Sequence, residues 1–155
     1  MTKPKNIQIL ILLWAVASIC FLIHVLYFYH YSFNVEYDDI SYNIRNGGLF
    51  IGSFAFFAIS LLIIYITYFG KKWSWIINAL FSFYFLLYTG QQLIFTITEI
   101  TFLSSYKSNQ AIYSIPAHQV FTVTNFIMPA IFLIIFILLF KPDVKKYLKI
   151  HVLEG

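Results

Sequence analysis

The sequence predicts an all-α fold: an integral membrane antiparallel four-helix bundle, forming a single transmembrane domain over residues 1–155. Three observations predict it. Hydrophobic residues make up 61% of the chain and charged residues 10%, where soluble domains hold about 45–50% and about 25%. Four apolar runs, at about 7–29, 48–69, 73–103 and 120–140, are each long enough to cross a bilayer. The third run also carries Asn78, Ser82, Thr89, Gln92, Thr96 and Glu99, which fall within an arc of roughly 100° on a helix. Lipid cannot satisfy such a polar stripe, so it must face protein or water.

The first run follows a short start with Lys3 and Lys5. A charged start, an apolar core and Ala15-Val16-Ala17 also resemble a secretory signal, but the chain stays apolar for another dozen residues. Cys20 is the only cysteine, which excludes an intrachain disulfide and a CxxC redox pair. Ile19 is too bulky for the small residue that a lipid-anchored Cys20 requires.

A polar segment from His30 to Gly47 carries Glu36, Asp38, Asp39 and Arg45, and Asn46-Gly47-Gly48 is expected to break the chain before the second run. Gly48-x-x-x-Gly52, continued by Ala55, is a small-residue stripe. Such stripes let helices approach closely, either inside one bundle or between two copies of a chain. Packing inside the bundle is the expected use, and a homo-oligomer through Gly48 and Gly52 is the alternative. Gly70-Lys71-Lys72 then makes a tight turn, so the second and third runs are expected to be antiparallel neighbours.

A second polar loop spans 104–119, with Pro116 near its end. Pro129 lies inside the fourth run and is expected to kink it and free a carbonyl. Lys141-Pro142-Asp143 stops that run. A basic tail over 141–155 follows, in which Val144, Tyr147 and Leu148 share one side of a short helix. The expectation is a helix resting on anionic lipid, or a solvated tail.

Charge placement predicts the orientation. Lys3, Lys5, Lys71, Lys72, Lys141, Lys145, Lys146 and Lys149 flank one side of the runs, and only Arg45 and Lys107 the other. Cytoplasmic loops carry the excess of Lys and Arg. Both termini are therefore expected in the cytoplasm, in a plasma or bacterial inner membrane.

The candidate site lies in the outer half. Helix rise puts Glu99 about 36 Å from Trp75, just past a hydrocarbon core of about 30 Å, with Gln92 and Thr96 deeper. His24, Ser53, Thr122 and Asn125 lie at similar depth, while the inner half, such as 131–140, is nearly all apolar. Glu99, Gln92, Thr96, Thr89, His24, Asn125 and Thr122 are thus the candidate ligand-binding residues. The competing reading makes them interhelical hydrogen bonds, with Glu99 capping its span in the headgroup zone.

No cofactor, metal or nucleic-acid partner is expected. A membrane haem needs facing axial histidines; His118 lies outside the apolar run, so His24 lacks a partner. His30, His118, Glu36, Asp38 and Asp39 show no ligand spacing. No nucleophile elbow, HExxH or phosphate-binding glycine loop appears.

Four functions remain in view. The first is binding of a lipophilic small molecule or membrane partner through the polar seam. The second is a lipid-modifying enzyme using Glu99 and His24 as acid and base. The third is a proton-coupled carrier subunit, and the fourth a structural or immunity-type accessory subunit.

Overall fold

A computed structural model of the chain describes residues 3–33, 40–70, 73–103 and 116–150, with side chains for 3–30, 47–70, 73–98 and 120–148. Every regular element in it is helical: α1 (Lys5–Phe33), α2 (Ile40–Tyr68), α3 (Ser74–Leu103), α4 (Pro116–Leu139) and α5 (Pro142–Ile150). The first four contain windows long and apolar enough to cross a membrane.

Helix α2 begins at Ile40 and runs through Asn46, Gly47 and Gly48 without a break, contrary to the expected interruption. Glycine costs a helix only about 1 kcal/mol per residue relative to alanine. Opening the backbone near lipid would strand polar groups at several kcal/mol each, so continuing the helix wins.

Each long helix buries a stripe that recurs in steps of three, four or seven. On α1 it is Ile7, Leu10, Trp14, Ala17, Phe21 and His24; on α4, Thr124, Met128, Ile131, Ile135 and Leu139. On α2 it is Ser53, Ser60, Ile63 and Thr67, and on α3 Ser74, Asn78, Ser82, Phe85, Thr89 and Thr96. This rhythm belongs to helices lying side by side at shallow angles. Helix α1 packs chiefly on α2 and also on α4, and α3 chiefly on α4; α2 and α3 touch more sparsely. The outward faces hold large apolar side chains such as Leu12, Ile19, Leu26, Leu80, Leu87 and Ile94.

At mid-height the stripes meet in an aromatic layer. Phe85 lies 5.1 Å from Phe21, 5.2 Å from Phe56 and 5.2 Å from Phe132 between ring centroids, and Trp14 stands edge-on to Phe132 at 5.6 Å. Tilted and edge-to-face rings at such distances are favourable.

The two ends differ. At the tail end Gly70 adopts a left-handed φ of 58°, the conformation that ends α2 with least steric cost. Trp73 follows at φ 70°, which costs a non-glycine residue about 1–2 kcal/mol. The indole Nε1–H of Trp75 donates to the Leu139 carbonyl at 2.9 Å, satisfying a group left open where α4 ends.

Helix α5 closes this end. Val144 and Leu148 are fully buried in the core cluster, Asn6 Nδ2 donates to both Asp143 oxygens at 3.1 and 2.9 Å, and Tyr147 Oη donates to the Tyr68 carbonyl at 3.2 Å. Burial and the neighbouring Tyr68 phenol raise the Tyr147 pKa. The apolar side of the tail therefore docks on protein; the expectation of a helix resting on lipid, or of a solvated tail, is corrected for this face. Lys146 remains exposed.

The other end is the loop end, where the connections 34–39 and 104–115 lie. Here a second correction applies. A Cβ added at Gly48 or Gly52 would meet nothing within 4 Å, and Ala55 is exposed. The small-residue stripe looks out of the chain and does not pack within it.

Candidate functional site

The buried polar groups form two sets, one toward the tail end and one toward the loop end, with the aromatic layer between. Trp14 and His24 mark their levels on α1, and ten residues of helix separate them by about 15 Å.

The tail-end set is closed on itself. Trp14 Nε1–H donates to Asn78 Oδ1 at 2.9 Å, while Asn78 Nδ2 donates to Thr67 Oγ1 at 2.8 Å and to the Ser74 carbonyl at 2.7 Å. One amide thus ties α1, α2 and the start of α3. Beside it Ser18 Oγ lies 2.7 Å from Ser60 Oγ and 2.9 Å from the Trp14 carbonyl, and Ser60 Oγ lies 2.7 Å from the Phe57 carbonyl. The two hydroxyl protons are shared among these three contacts. Among the described residues, Ser74 Oγ is the one sealed side-chain polar atom left without a partner.

This set overturns the expectation that the inner half is nearly all apolar. That expectation noted Asn78 but missed Trp14, Ser18, Ser60, Thr67 and Ser74. Part of the signal was present: Ser53, Ser60 and Thr67 recur at intervals of seven, as do Ser82, Thr89 and Thr96. Strict sevens of small polar residues mark an interhelical seam.

The loop-end set is built from His24, Thr124, Asn125, Thr96, Ser53 and Gln92. His24 Nε2 lies 2.8 Å from Thr124 Oγ1, and Thr124 Oγ1 donates to the Phe121 carbonyl at 2.7 Å. Thr124 has one proton and uses it there, so the network assigns the donor role to His24 Nε2–H. The lone pair of the imidazole then sits on Nδ1. Phe121 packs on the ring at 4.7 Å, with Phe21 and Phe28 at 6.4 and 6.5 Å. The next residue along α4, Asn125, donates from Nδ2 to Thr96 Oγ1 at 3.2 Å. Adjacent residues of α4 therefore reach α1 on one side and α3 on the other.

The structure treats the sequence-predicted residues unequally. It pairs Thr96 with Asn125 and gives His24 a partner, Thr124, that the sequence reading missed. Thr89 is buried but bonds the carbonyl of Phe85 on its own helix at 2.7 Å, so it is withdrawn from the seam chemically. Gln92 and Thr122 are half-buried. Glu99 belongs to α3, one turn past Thr96, and its side chain lies outside the described residues, as does that of His118.

Several hydrogen-bonding groups here find no partner among the described residues. They are His24 Nδ1, Asn125 Oδ1, the Ser53 hydroxyl and the Gln92 amide. Pro129 lies inside α4 and has no N–H, so the Asn125 carbonyl also lacks its usual helical donor. The loop-end set thus holds unused donors and acceptors beside apolar walls. Among the described residues no group of three His, Cys, Asp or Glu side chains is placed to hold a metal. Comparison of the chain with protein-family models, with curated proteins and with solved structures finds no match in any of the three.

Proposed function

We propose that the chain is an integral membrane antiparallel four-helix bundle whose loop half binds a lipophilic small molecule. The helices meet so that contacts climb α3 as they descend α2, from Thr67–Asn78 to Phe56–Tyr88, and α1 and α4 are related likewise through Trp14–Phe132 and His24–Thr124. Outward leucines and isoleucines suit an acyl surround. The lysine excess at the tail end supports a cytoplasmic location for both termini.

The observation that carries the binding role is the set of unused valences at His24 Nδ1, Asn125 Oδ1, Ser53 and Gln92. An unpaired polar group in lipid costs free energy, and a ligand with a polar head would recover it. His24, Gln92, Asn125, Thr96 and Thr122 are the binding residues of this reading, with Glu99 as its charge.

Native mass spectrometry of protein extracted with its membrane lipids tests the proposal. One lipophilic molecule should be retained stoichiometrically. Gln92→Ala and Glu99→Gln should lower retention at least tenfold while the thermal midpoint stays near that of the parent. Equal retention in both variants, with normal folding, would refute it.

A further inference from the structure

The outward faces of the long helices are apolar with one exception. On α1 between Gln8 and His30, on α2 from Gly48 to Phe69 and on α4 from Val120 to Phe140, every exposed residue is apolar or aromatic. On α3 from Trp73 to Ile97 the same holds except at Gln91, which is exposed and bonds no described residue. Seven residues, about 10 Å of helix, separate it from Thr98, where the apolar window of α3 ends. Glutamine is too short to carry its amide over that distance, as long lysine and arginine side chains do when they reach the headgroups. Facing acyl chains, the amide finds no partner for its two donors or its acceptor oxygen.

The surface around Gln91 suits a neighbouring helix. Leu80, Tyr84, Leu87, Gln91, Ile94 and Thr98 are all exposed and follow one another in steps of four and three. Paired helices space their contacts this way. The outward face of any straight helix would show such steps; the amide at its middle sets this one apart. Gly90 lies beside Gln91, and a Cβ added there would meet nothing within 4 Å, so a second backbone can come close at the level of the amide. Thr98 spends its hydroxyl proton on the Ile94 carbonyl of its own helix at 2.9 Å. At about 100° per residue, Gln91 lies roughly opposite the buried Thr89 and Thr96, away from the loop-end set.

Symmetry and hydrogen-bond complementarity select the occupant. Two copies of one chain inserted with the same ends in the cytoplasm lie parallel, so equal residues meet at equal depth across a two-fold axis along the bilayer normal. A residue beside that axis faces its own copy. A carboxamide is its own complement: each Nε2–H donates to the other Oε1, and both amides are satisfied together. Acyl chains offer no hydrogen bond, and headgroups lie about 10 Å away along the helix, so lipid leaves Gln91 unpaired.

We infer that the chain forms a parallel homodimer through α3. Leu80, Tyr84, Leu87 and Ile94 pack on their counterparts, Gly90 lets the backbones approach, and the two Gln91 amides bond each other across the axis. The interface lies on α3 and not on the edge of α2 at Gly48 and Gly52. It shares with the binding role proposed above only the membrane setting, and it leaves the loop-half site within each copy.

The test uses the full chain, labelled at its N-terminus with a donor or an acceptor dye, in phosphatidylcholine vesicles of rising lipid-to-protein ratio. Energy transfer should fall with dilution along a monomer–dimer curve. Gln91→Leu should raise the dissociation constant about tenfold and Gly90→Leu about threefold, while Gly52→Leu leaves it unchanged. Gln91 and Gly90 meet open space in the single chain, so both variants should melt as the parent does at high dilution; Gly90→Leu carries the test alone if Gln91→Leu misfolds. Oxidation should join copies carrying Leu87→Cys or Ile94→Cys, but not the parent, whose Cys20 is buried. Transfer no greater than random crowding at every dilution overturns the inference, as does equal association in the parent and both α3 variants. Loss of association through Gly52→Leu alone moves the interface to α2 and overturns it likewise. A different chain that co-purifies one to one and cross-links to Leu87→Cys overturns the second copy as the occupant.

Discussion

The tail half and the loop half use the same kinds of side chain to different ends. Asn78 and Asn125 are both buried amides on interhelical seams. Asn78 fills three of its hydrogen-bonding positions within the protein, whereas Asn125 fills one, to Thr96. Trp14, Thr67, Ser60 and Ser18 are drawn into the first set, while Ser53 and Gln92, toward the loop end of their helices, bond no described residue. Polarity buried between long apolar helices is thus not one signal. A closed network holds helices in register; an open one keeps the capacity to bind something else. Hydrogen bonds between membrane helices average only about 0.6 kcal/mol each, so leaving a few unmade at the loop end is affordable in stability.

The largest disturbance should come from the layer that separates the halves. Phe85→Ala removes a fully buried ring that touches Trp14, Phe21, Phe56 and Phe132. A loss of about 3 kcal/mol is expected, from lost packing and the cavity left behind. Reversible unfolding in mixed micelles measures it; a loss below about 1 kcal/mol would mean that the halves do not rely on a packed divider.

Asn78→Leu comes next. It removes three bonds and strands the Trp14 indole N–H, for about 2 kcal/mol at membrane-helix values. Double-mutant cycles with Thr67→Val should show coupling, and strict additivity would show that the network is not one unit. Asn6→Ala should cost about 1 kcal/mol or less, because the contact with Asp143 is only part-buried. Its clearer effect is faster proteolysis after Lys145 and Lys146 as α5 lifts; cleavage at the parent rate would place the hold on α5 in Val144 and Leu148 alone.

The smallest stability effect belongs to Gln92→Leu. It deletes an amide that bonds nothing described, so the unfolding free energy should move by less than about 0.5 kcal/mol. A loss like that of Asn78→Leu would erase the contrast between the halves.

Much of the architecture was legible because lipid imposes a coarse rule: a spanning segment must be helical and mostly apolar. Four such segments could be read from composition and length alone. The stripe on α3 was legible because residues 3.6 apart share a face, and Asn78, Ser82, Thr89 and Thr96 are indeed buried. The partners were not. Trp14 and Asn78 are 64 residues apart, and no local pattern names one from the other. The same holds for Thr124 as the partner of His24, although both lie near the expected depth.

Gly48 and Gly52 show the limit in another way. Their spacing marks a surface fit for close approach, but whether it faces in or out depends on how α2 is rotated against its neighbours. The tail was undetermined for a similar reason: an apolar face on a short basic helix suits lipid and protein equally until Asn6 and the bundle end are placed beside it. Sequence by itself determined the helical class, the four apolar segments and the lysine-rich end, since these follow from solvent and periodicity. Only the tertiary structure decided which polar groups close on one another and which stay open, because a hydrogen bond needs its partner within about 3 Å and that distance is set by the packing of whole helices.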